Sequence, residues 1–421
     1  MEKEYLNRIA DYALDGALDA SGAVLIEGAK WCGKTRTARR KANSILLMQD
    51  PDQHDNYMRI ANTKPSLLLS GPTPRLIDEW QDAPILWDAV RFAVDERCET
   101  AQFILTGSAV PLDNAVLHTG TGRISRFKMR TMSLYESLES NGQISLGALF
   151  DEPENIEGHS TLTIERLAYA LVRGGWPQSV GERETAALRR VYDYVEAVIN
   201  QDVNRVDGIE KNPSYVRALM RSLARNSASM ANNETIRKDM AADDAAITPP
   251  TVASYLNALR RIHVVEDLSA WNPALRSKTA LRTSVTRHYA DPSIAAAVLR
   301  ATQQNLLYDF NTFGLLFESL CVRDLRVYAQ AIDGEVFHYR DKNGLEADAV
   351  VQLKDGRWGA VEVKMGSKEI DGAAKNLIAL RSIVDTERMR EPSFLAVVTA
   401  TDIAYRRKDG VYVVPIGCLK N

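Results

Sequence analysis

The chain has 421 residues, 45% hydrophobic and 25% charged, a balance that excludes a disordered or fibrous protein and, at roughly 100–200 residues per domain, predicts two to four domains. A net charge of −3 excludes a general electrostatic pull on nucleic acid, and four scattered cysteines (Cys32, Cys98, Cys321, Cys418) predict free thiols rather than a zinc site or a disulfide framework. No apolar run has membrane-spanning length and the opening MEKEYLNRIADYALDG lacks a signal-peptide core, so the expectation is a cytoplasmic protein with no membrane partner.

The first predicted element is a short buried strand, Ala23 to Glu27, running into GAKWCGKT and an Arg- and Ala-rich helix. Strand, glycine turn and helix are the context a phosphate-binding loop requires. Gly28 and Gly33 let the backbone N–H groups face phosphate, Lys34 is placed to reach the β- and γ-phosphates, and the Thr35 hydroxyl is a candidate magnesium ligand. PRLIDEWQDAP supplies the second half of such a site, with Asp78 expected at the magnesium shell and Glu79 placed to polarise the attacking water. AQFILTGSA predicts a further strand that ends in Thr106, Gly107 and Ser108, small polar groups suited to positioning a water. These residues imply ATP and magnesium as cofactors.

In order and character, GAKWCGKT, LIDEWQ, FILTGSA and TGRISRFKMRTMSLYES resemble the AAA-type ATPase module of many bacterial ATP-binding proteins. The module's usual Pro-Leu-Ser-Phe-like stretch appears here as Met132-Ser133-Leu134-Tyr135, without the proline. The resemblance implies that Arg123, or Arg126 three residues on, is an arginine finger reaching the γ-phosphate of a neighbouring subunit, and hence a homo-oligomer. It also makes Arg173, in RGGWP, a candidate phosphate sensor.

An amphipathic helix at YDYVEAVINQDVNRV and three helical segments near Pro213–Arg225, Glu234–Ala242 and Pro250–Ile262 follow. A β-like pair containing Arg276, Lys278, Arg282 and Arg287 comes next, and three helices before a basic hairpin suggest a winged helix-turn-helix, which the resembled group commonly carries here. Pro213 to Ala290 holds eleven Lys or Arg against six Asp or Glu. Ser254, Asn257, Arg260 and Arg261, opposite the apolar stripe, are candidates for nucleic-acid contact; a solvated helix face has the same pattern.

The last third places Glu318 in an apolar helix, then strands through EVFHYRD, GLEADAVVQLKDGRWGAVEVKMG, a helix at GAAKNLIALRSIVD and a buried strand at SFLAVVTA. That order resembles the restriction-endonuclease-like fold, the carboxy-terminal domain of unknown function that follows this ATPase module. Asp348 and Glu362 are candidate magnesium ligands, and Lys364, two residues from Glu362 and so on the same strand face, is placed to handle the attacking water, with Glu318 approaching from the helix. The expected architecture is α/β: a P-loop AAA-like ATPase domain over 1–180, a helical winged-helix-like domain over 181–300 and a restriction-endonuclease-like domain over 301–421. The expected function is ATP hydrolysis whose nucleotide state controls nucleic-acid engagement, with metal-dependent cleavage by the last domain. The alternative is an ATP-switched module that binds a protein partner through an inactive nuclease-like domain.

Overall fold

A computed structural model describes residues 4–108, 119–152, 156–205, 210–241, 247–274 and 281–421. Five short apolar runs form the first sheet: β1 (Ala23–Glu27), β2 (Ser44–Leu47), β3 (Arg75–Asp78), β4 (Phe103–Gly107) and β5 (Ile124–Lys128), all parallel, in the order β2-β3-β4-β1-β5. A parallel sheet is covered on both faces, which is why β1 and β4 are apolar almost throughout. Alternate residues serve the two faces. Leu25 and Leu105 pack with Leu86, Trp87 and Val90 of helix Ile85–Arg97 on one side. Val24, Ile26 and Ile104 pack with Leu14 of helix Ile9–Ala20 and Ala38 of helix Lys34–Lys41 on the other. β1 lies inside the sheet, so the loop that follows it opens at the carboxyl ends of the strands, where such sheets bind ligands.

Nine further strands follow among the described residues: β6 (Ile144–Ser145), β7 (Gly158–His159), β8 (Gly334–Arg340), β9 (Glu346–Leu353), β10 (Trp358–Lys364), β11 (Phe394–Thr399), β12 (Ile403–Arg406), β13 (Tyr412–Pro415) and β14 (Leu419–Lys420). The second sheet has the order β7-β12-β13-β11-β10-β9-β8, with β10, β11 and β13 parallel and the rest antiparallel to their neighbours. Val361, Val363, Ala396 and Val398 face the long helix Phe310–Gln330, whereas Trp358, Ala360, Leu395 and Val397 face helix Ile370–Ile383. β7 belongs to this sheet, and β6 pairs in parallel with β14. Residues 144–159, which a boundary at 180 assigns to the ATPase domain, thus contribute strands to the carboxy-terminal half.

Between the sheets run helices Ile164–Arg173, Glu184–Asn200, Pro213–Arg225, Asn233–Ala241 and Pro249–Arg261. Their starts are written in the sequence: Thr163, Asn212 and Thr248 each accept a backbone N–H of the first turn, and prolines occupy the first turn after Asn212 and Thr248. After the last of these helices the chain pairs antiparallel with itself at Val265–Tyr289 and Leu268–Thr286, then meets β8 at Ala270–His338 and Leu281–Asp341. Arg276 and Lys278 lie outside the described residues. One core spans the helical region and the second sheet, joining Tyr194, Leu219, Leu256, Phe317 and Val361.

Candidate nucleotide site and carboxy-terminal carboxylate cluster

The loop after β1 depends on its glycines. Gly28 has φ 153° and Gly33 has φ 109°, and a Cβ on Gly28 would sit 2.1 Å from the Met129 carbonyl oxygen. Lys34 is buried, and its Nζ donates to the Gly28 and Ala29 carbonyls at 2.9 Å each. Thr35 Oγ1 donates to Asp78 Oδ1 at 2.7 Å, and the Thr106 hydroxyl donates to the same oxygen. The sheet enforces that meeting, because Asp78 and Thr106 are register partners at the carboxyl ends of β3 and β4. Glu79, in a left-handed turn with φ 56°, has its carboxylate held by the Gln81 amide and by Ser108 Oγ at 3.1 Å. Oxygens of Thr35 and Asp78 standing together are the hard donor set that magnesium takes, completed by water and phosphate oxygens. The donors present fit the ion.

Gly33, Lys34, Thr35, Glu79, Gln81 and Ser108 line a cavity of about 900 Å³, together with Tyr5, Arg8, Lys30, Trp31, Gln178, Asp202 and Ile262. That volume lies within the range of small-molecule sites. Several of these residues carry no sequence signal of their own. Buried Arg8 ties the amino-terminal segment to the loop by donating to the Cys32 carbonyl at 2.8 Å, to the Arg130 carbonyl at 2.8 Å and to Glu136 at 3.0 Å. Lys30 pairs with Asp202, and Trp31 packs against Tyr194 with ring centroids 5.9 Å apart, so the loop touches the helical region directly. Cys32 is buried against the Met129 carbonyl.

None of the three candidate arginines, Arg123, Arg126 and Arg173, lines this cavity. Arg123 precedes β5, where its carbonyl accepts the N–H of Ala23, so it stands at the end of the sheet opposite the loop of its own chain. Its guanidinium pairs with Asp95 at 2.7 Å. Arg126 is exposed, pairs with Glu27 at 3.1 Å and lies over the Trp87 ring at 5.2 Å. Arg173 corrects an expectation: it is buried in an ion pair with Glu139 and does not line the cavity, so its charge is spent on packing rather than phosphate sensing.

At the second sheet the β9–β10 ladder runs from Trp358–Gln352 to Val361–Ala349 and stops. Beyond that point Asp348 Oδ2 accepts the N–H of Val363 at 2.7 Å, replacing the lost ladder bond with a carboxylate. Lys364 Nζ lies 2.7 Å from Glu362 Oε2 and 3.3 Å from Asp348 Oδ2. Asn376, from helix Ile370–Ile383, reaches Glu362 Oε1 at 3.4 Å. Glu318 stands close enough for the charges of this group to act on it. Burial and the Asp348 charge raise its carboxyl well above the usual range. Burial, followed by Asp348, pushes Glu362 up to about 7. Burial opposes the Lys364 ammonium, but Asp348 and Glu362 outweigh it and raise its pKa above the ordinary lysine value. Among the described residues no three His, Cys, Asp or Glu side chains are grouped so as to hold a metal by themselves. Asp348 and Glu362 already share one cation, the ammonium, so their oxygens suit a divalent ion that takes its remaining ligands from water and phosphate.

Of the middle-region candidates, Ser254 and Asn257 are exposed, Arg261 is half-buried, and Arg260 is half-buried and paired with Asp267. Arg287, expected on a basic hairpin, is instead buried against Asp267 at 3.0 Å and the Ala231 carbonyl. It closes the fold instead of presenting charge. Arg282 is exposed.

Comparison with known proteins finds three separate matches along the chain. Residues 20–138 match the AAA domain family, residues 164–305 a domain of unknown function (DUF8612) and residues 313–419 a domain of unknown function (DUF4143). The first part of the chain is therefore similar to AAA domains, within a mixed α/β protein. Uncharacterized proteins of Mycobacterium tuberculosis and Mycobacterium bovis are each 23% identical over 97% of this chain and 83% of their own length. Among solved structures, the Walker-type ATPase of Pyrococcus abyssi is 14% identical over 70% of this chain and 96% of its own, with a TM-score of 0.43. The ORC1 protein of Aeropyrum pernix in complex with DNA is 12% identical over 74% and 95%, with a TM-score of 0.27. No helix among the described residues is long and apolar enough to cross a membrane.

Proposed function

We propose that the protein binds and hydrolyses ATP at the loop after β1, and that the nucleotide state controls engagement of nucleic acid and its metal-dependent cleavage at the carboxy-terminal cluster. The observation that carries the first part is the Thr35–Asp78–Thr106 hydroxyl–carboxylate group, with Thr35, Lys34 and Glu79 lining one cavity. Magnesium, bound there, would neutralise charge building on the phosphates. Thr35 and Asp78 would hold it. Lys34 would leave the Gly28 and Ala29 carbonyls for the β- and γ-phosphates, the loop N–H groups would cradle them, and Glu79, released by Gln81 and Ser108, would orient and accept a proton from the attacking water. Arg123, facing away from its own loop and partly exposed, is assigned to a neighbouring copy's γ-phosphate.

At the second site Asp348 and Glu362 would hold the metal that polarises a phosphodiester, and Lys364, freed from the carboxylates, would orient the water. One observation favours the other reading, an ATP-switched protein-interaction module with an inert last domain. The middle region's cations are largely consumed, with Arg217 on Glu196, Arg225 on Asp239, Arg237 on Glu234, and Arg260 and Arg287 on Asp267. The test is incubation of wild type and Asp348→Ala with single- and double-stranded DNA and RNA, with magnesium or manganese, with and without ATP. Cutting by wild type alone supports cleavage. No cutting under any condition, with ATP hydrolysis intact, leaves the interaction reading.

A further inference from the structure

The helical region meets the phosphate-binding loop at one turn, just after helix Pro249–Arg261. Ile262 lines the nucleotide cavity, and His263 follows it with a φ of 56°, a left-handed conformation that His and Asn adopt more readily than most residues. His263 is 9% exposed, and its Nε2 is buried with no hydrogen-bond partner. A buried polar atom left unpaired in a native fold calls for an explanation. His263 lines a small cavity of about 10 Å³, the scale of a single water, whose wall includes Gly28, Ala29, Arg130 and Glu266. Gly28 and Ala29 are the two residues whose carbonyls hold Lys34.

That arrangement sets up an exchange. When Lys34 turns to a bound phosphate, two buried carbonyls lose their donor, and buried backbone acceptors are not left unpaired without cost. His263, which shares the wall of the small cavity with Gly28 and Ala29, has an unused polar atom. Burial, then the nearby Lys128 and Lys34 charges, depress its pKa to about 4, so near neutrality the ring is uncharged and carries one N–H.

We propose that His263 is a positioning residue of the nucleotide site: when Lys34 moves to phosphate, the imidazole N–H takes over the Gly28 or Ala29 carbonyl, directly or through one water, so that the helical region senses the loaded loop. The proposal rests on the reading of this loop as a nucleotide site. It makes the contact state-dependent, formed with nucleotide and absent without it.

The test compares wild type, Lys34→Ala, His263→Gly and His263→Asn, measuring ATP–magnesium binding by calorimetry and thermal unfolding without nucleotide. Glycine relieves the left-handed backbone, so a residue serving only the turn would show unchanged affinity and equal or higher stability. The proposal expects His263→Gly to weaken ATP binding about 3- to 10-fold, the worth of one net hydrogen bond, without lowering the nucleotide-free midpoint. His263→Asn, which tolerates the same φ and keeps an N–H donor, recovers part of the loss. Affinity of the glycine variant equal to wild type, or an asparagine variant no better than glycine, overturns it. If wild type binds ATP and Lys34→Ala does not, such a result sinks the His263 role alone; if wild type binds no nucleotide, the reading of the loop falls and takes this role with it.

Discussion

The two candidate sites use a lysine and two acids in opposite ways. At the first, Lys34 rests on neutral carbonyls while Asp78 and Glu79 are held by the hydroxyls and amide of Thr35, Thr106, Ser108 and Gln81. At the second, Lys364 is itself the counter-ion of Asp348 and Glu362. A phosphate competing for Lys34 displaces only carbonyl dipoles, whereas one competing for Lys364 must displace two carboxylates. The first site is thus ready for an anion, and the second must acquire a cation before an anion can approach. On the proposed function, this difference would give an order of events: the nucleotide site would load unaided, and the carboxylate cluster would wait for metal and nucleic acid together.

The sharpest way to break that comparison is a reciprocal pair of variants. Lys34→Ala should lower ATP turnover on the order of a hundredfold or more while leaving the metal affinity of the carboxy-terminal cluster unchanged. Asp348→Ala should remove metal-dependent cleavage altogether while ATP turnover stays within a few-fold of wild type. Lys364→Ala should also remove cleavage yet keep metal binding, because it serves the water and not the ion. Phosphate-release and nuclease assays and metal-binding calorimetry on all three decide it, and loss of both reactions in any single variant would show the sites to be one unit.

Glu79→Gln comes next. Its carboxylate is assigned to the water, so hydrolysis should slow on the order of a hundredfold while ATP binding persists, as seen by calorimetry beside single-turnover kinetics. Hydrolysis at the normal rate would move the base elsewhere, Asp82 being another acid that lines the cavity.

How much of this was legible beforehand differs between the sites for physical reasons. The loop and the Asp78-Glu79 pair are contiguous in sequence, and a parallel strand of Leu-Ile before two acids announces its own position. The two-residue spacing of Glu362 and Lys364 likewise put them on one face of β10, where they pair. Contacts between distant segments left no trace. Nothing local tells that Arg173 is consumed by Glu139, that Arg287 is buried on Asp267, or that Arg8 grips the Cys32 carbonyl, because a charged residue's partner is a matter of tertiary packing. β6 and β7, two residues each, are too short to show the alternation that reveals a strand, so their enrolment in the second half was invisible.

Between the sites lies a buried joint. Glu266 accepts from Arg130 at 2.7 Å and lies 3.5 Å from Lys128 and 3.9 Å from Arg326, linking the strand end beside the loop to the long helix under the second sheet. Burial works against its charge, but Arg130, Arg326 and Lys128 prevail and hold its carboxyl well below the usual range. Glu266→Gln keeps the shape and removes the charge, leaving three cations without their anion. It should destabilise the protein by about 1–3 kcal/mol in urea unfolding. If the joint transmits nucleotide state, the variant should also uncouple any ATP dependence of the carboxy-terminal activity; retained dependence would place the connection elsewhere.

The smallest effect, and the one that asks whether the joint loosens on its own, is its response to acid. His288 is buried beside that joint, its ring nitrogens 3.1 Å from the hydroxyls of Ser319 and Thr286, and burial, then Arg326 and His338, lower its pKa to about 3 from an ordinary 6.5, with Glu266 opposing. The native ring therefore stays neutral where the unfolded ring takes a proton. In that window the unfolded state binds more protons, so stability rises with pH: the contribution is fully present above about 6.5 and is lost progressively as pH falls toward 3. The slope is at most about 1.4 kcal/mol per pH unit for one such group. Urea unfolding at pH 7 and pH 5.5 should show a loss in wild type of which about 1 kcal/mol belongs to His288, and His288→Asn, which does not titrate and still offers an amide to the two hydroxyls, should remove that share. His263, depressed in the same direction, adds to the wild-type slope and keeps it from vanishing in the single variant. A slope unchanged by His288→Asn would mean that acid loosens the protein at some place other than the joint, and the two sites would then stay connected at a pH where the joint is expected to weaken.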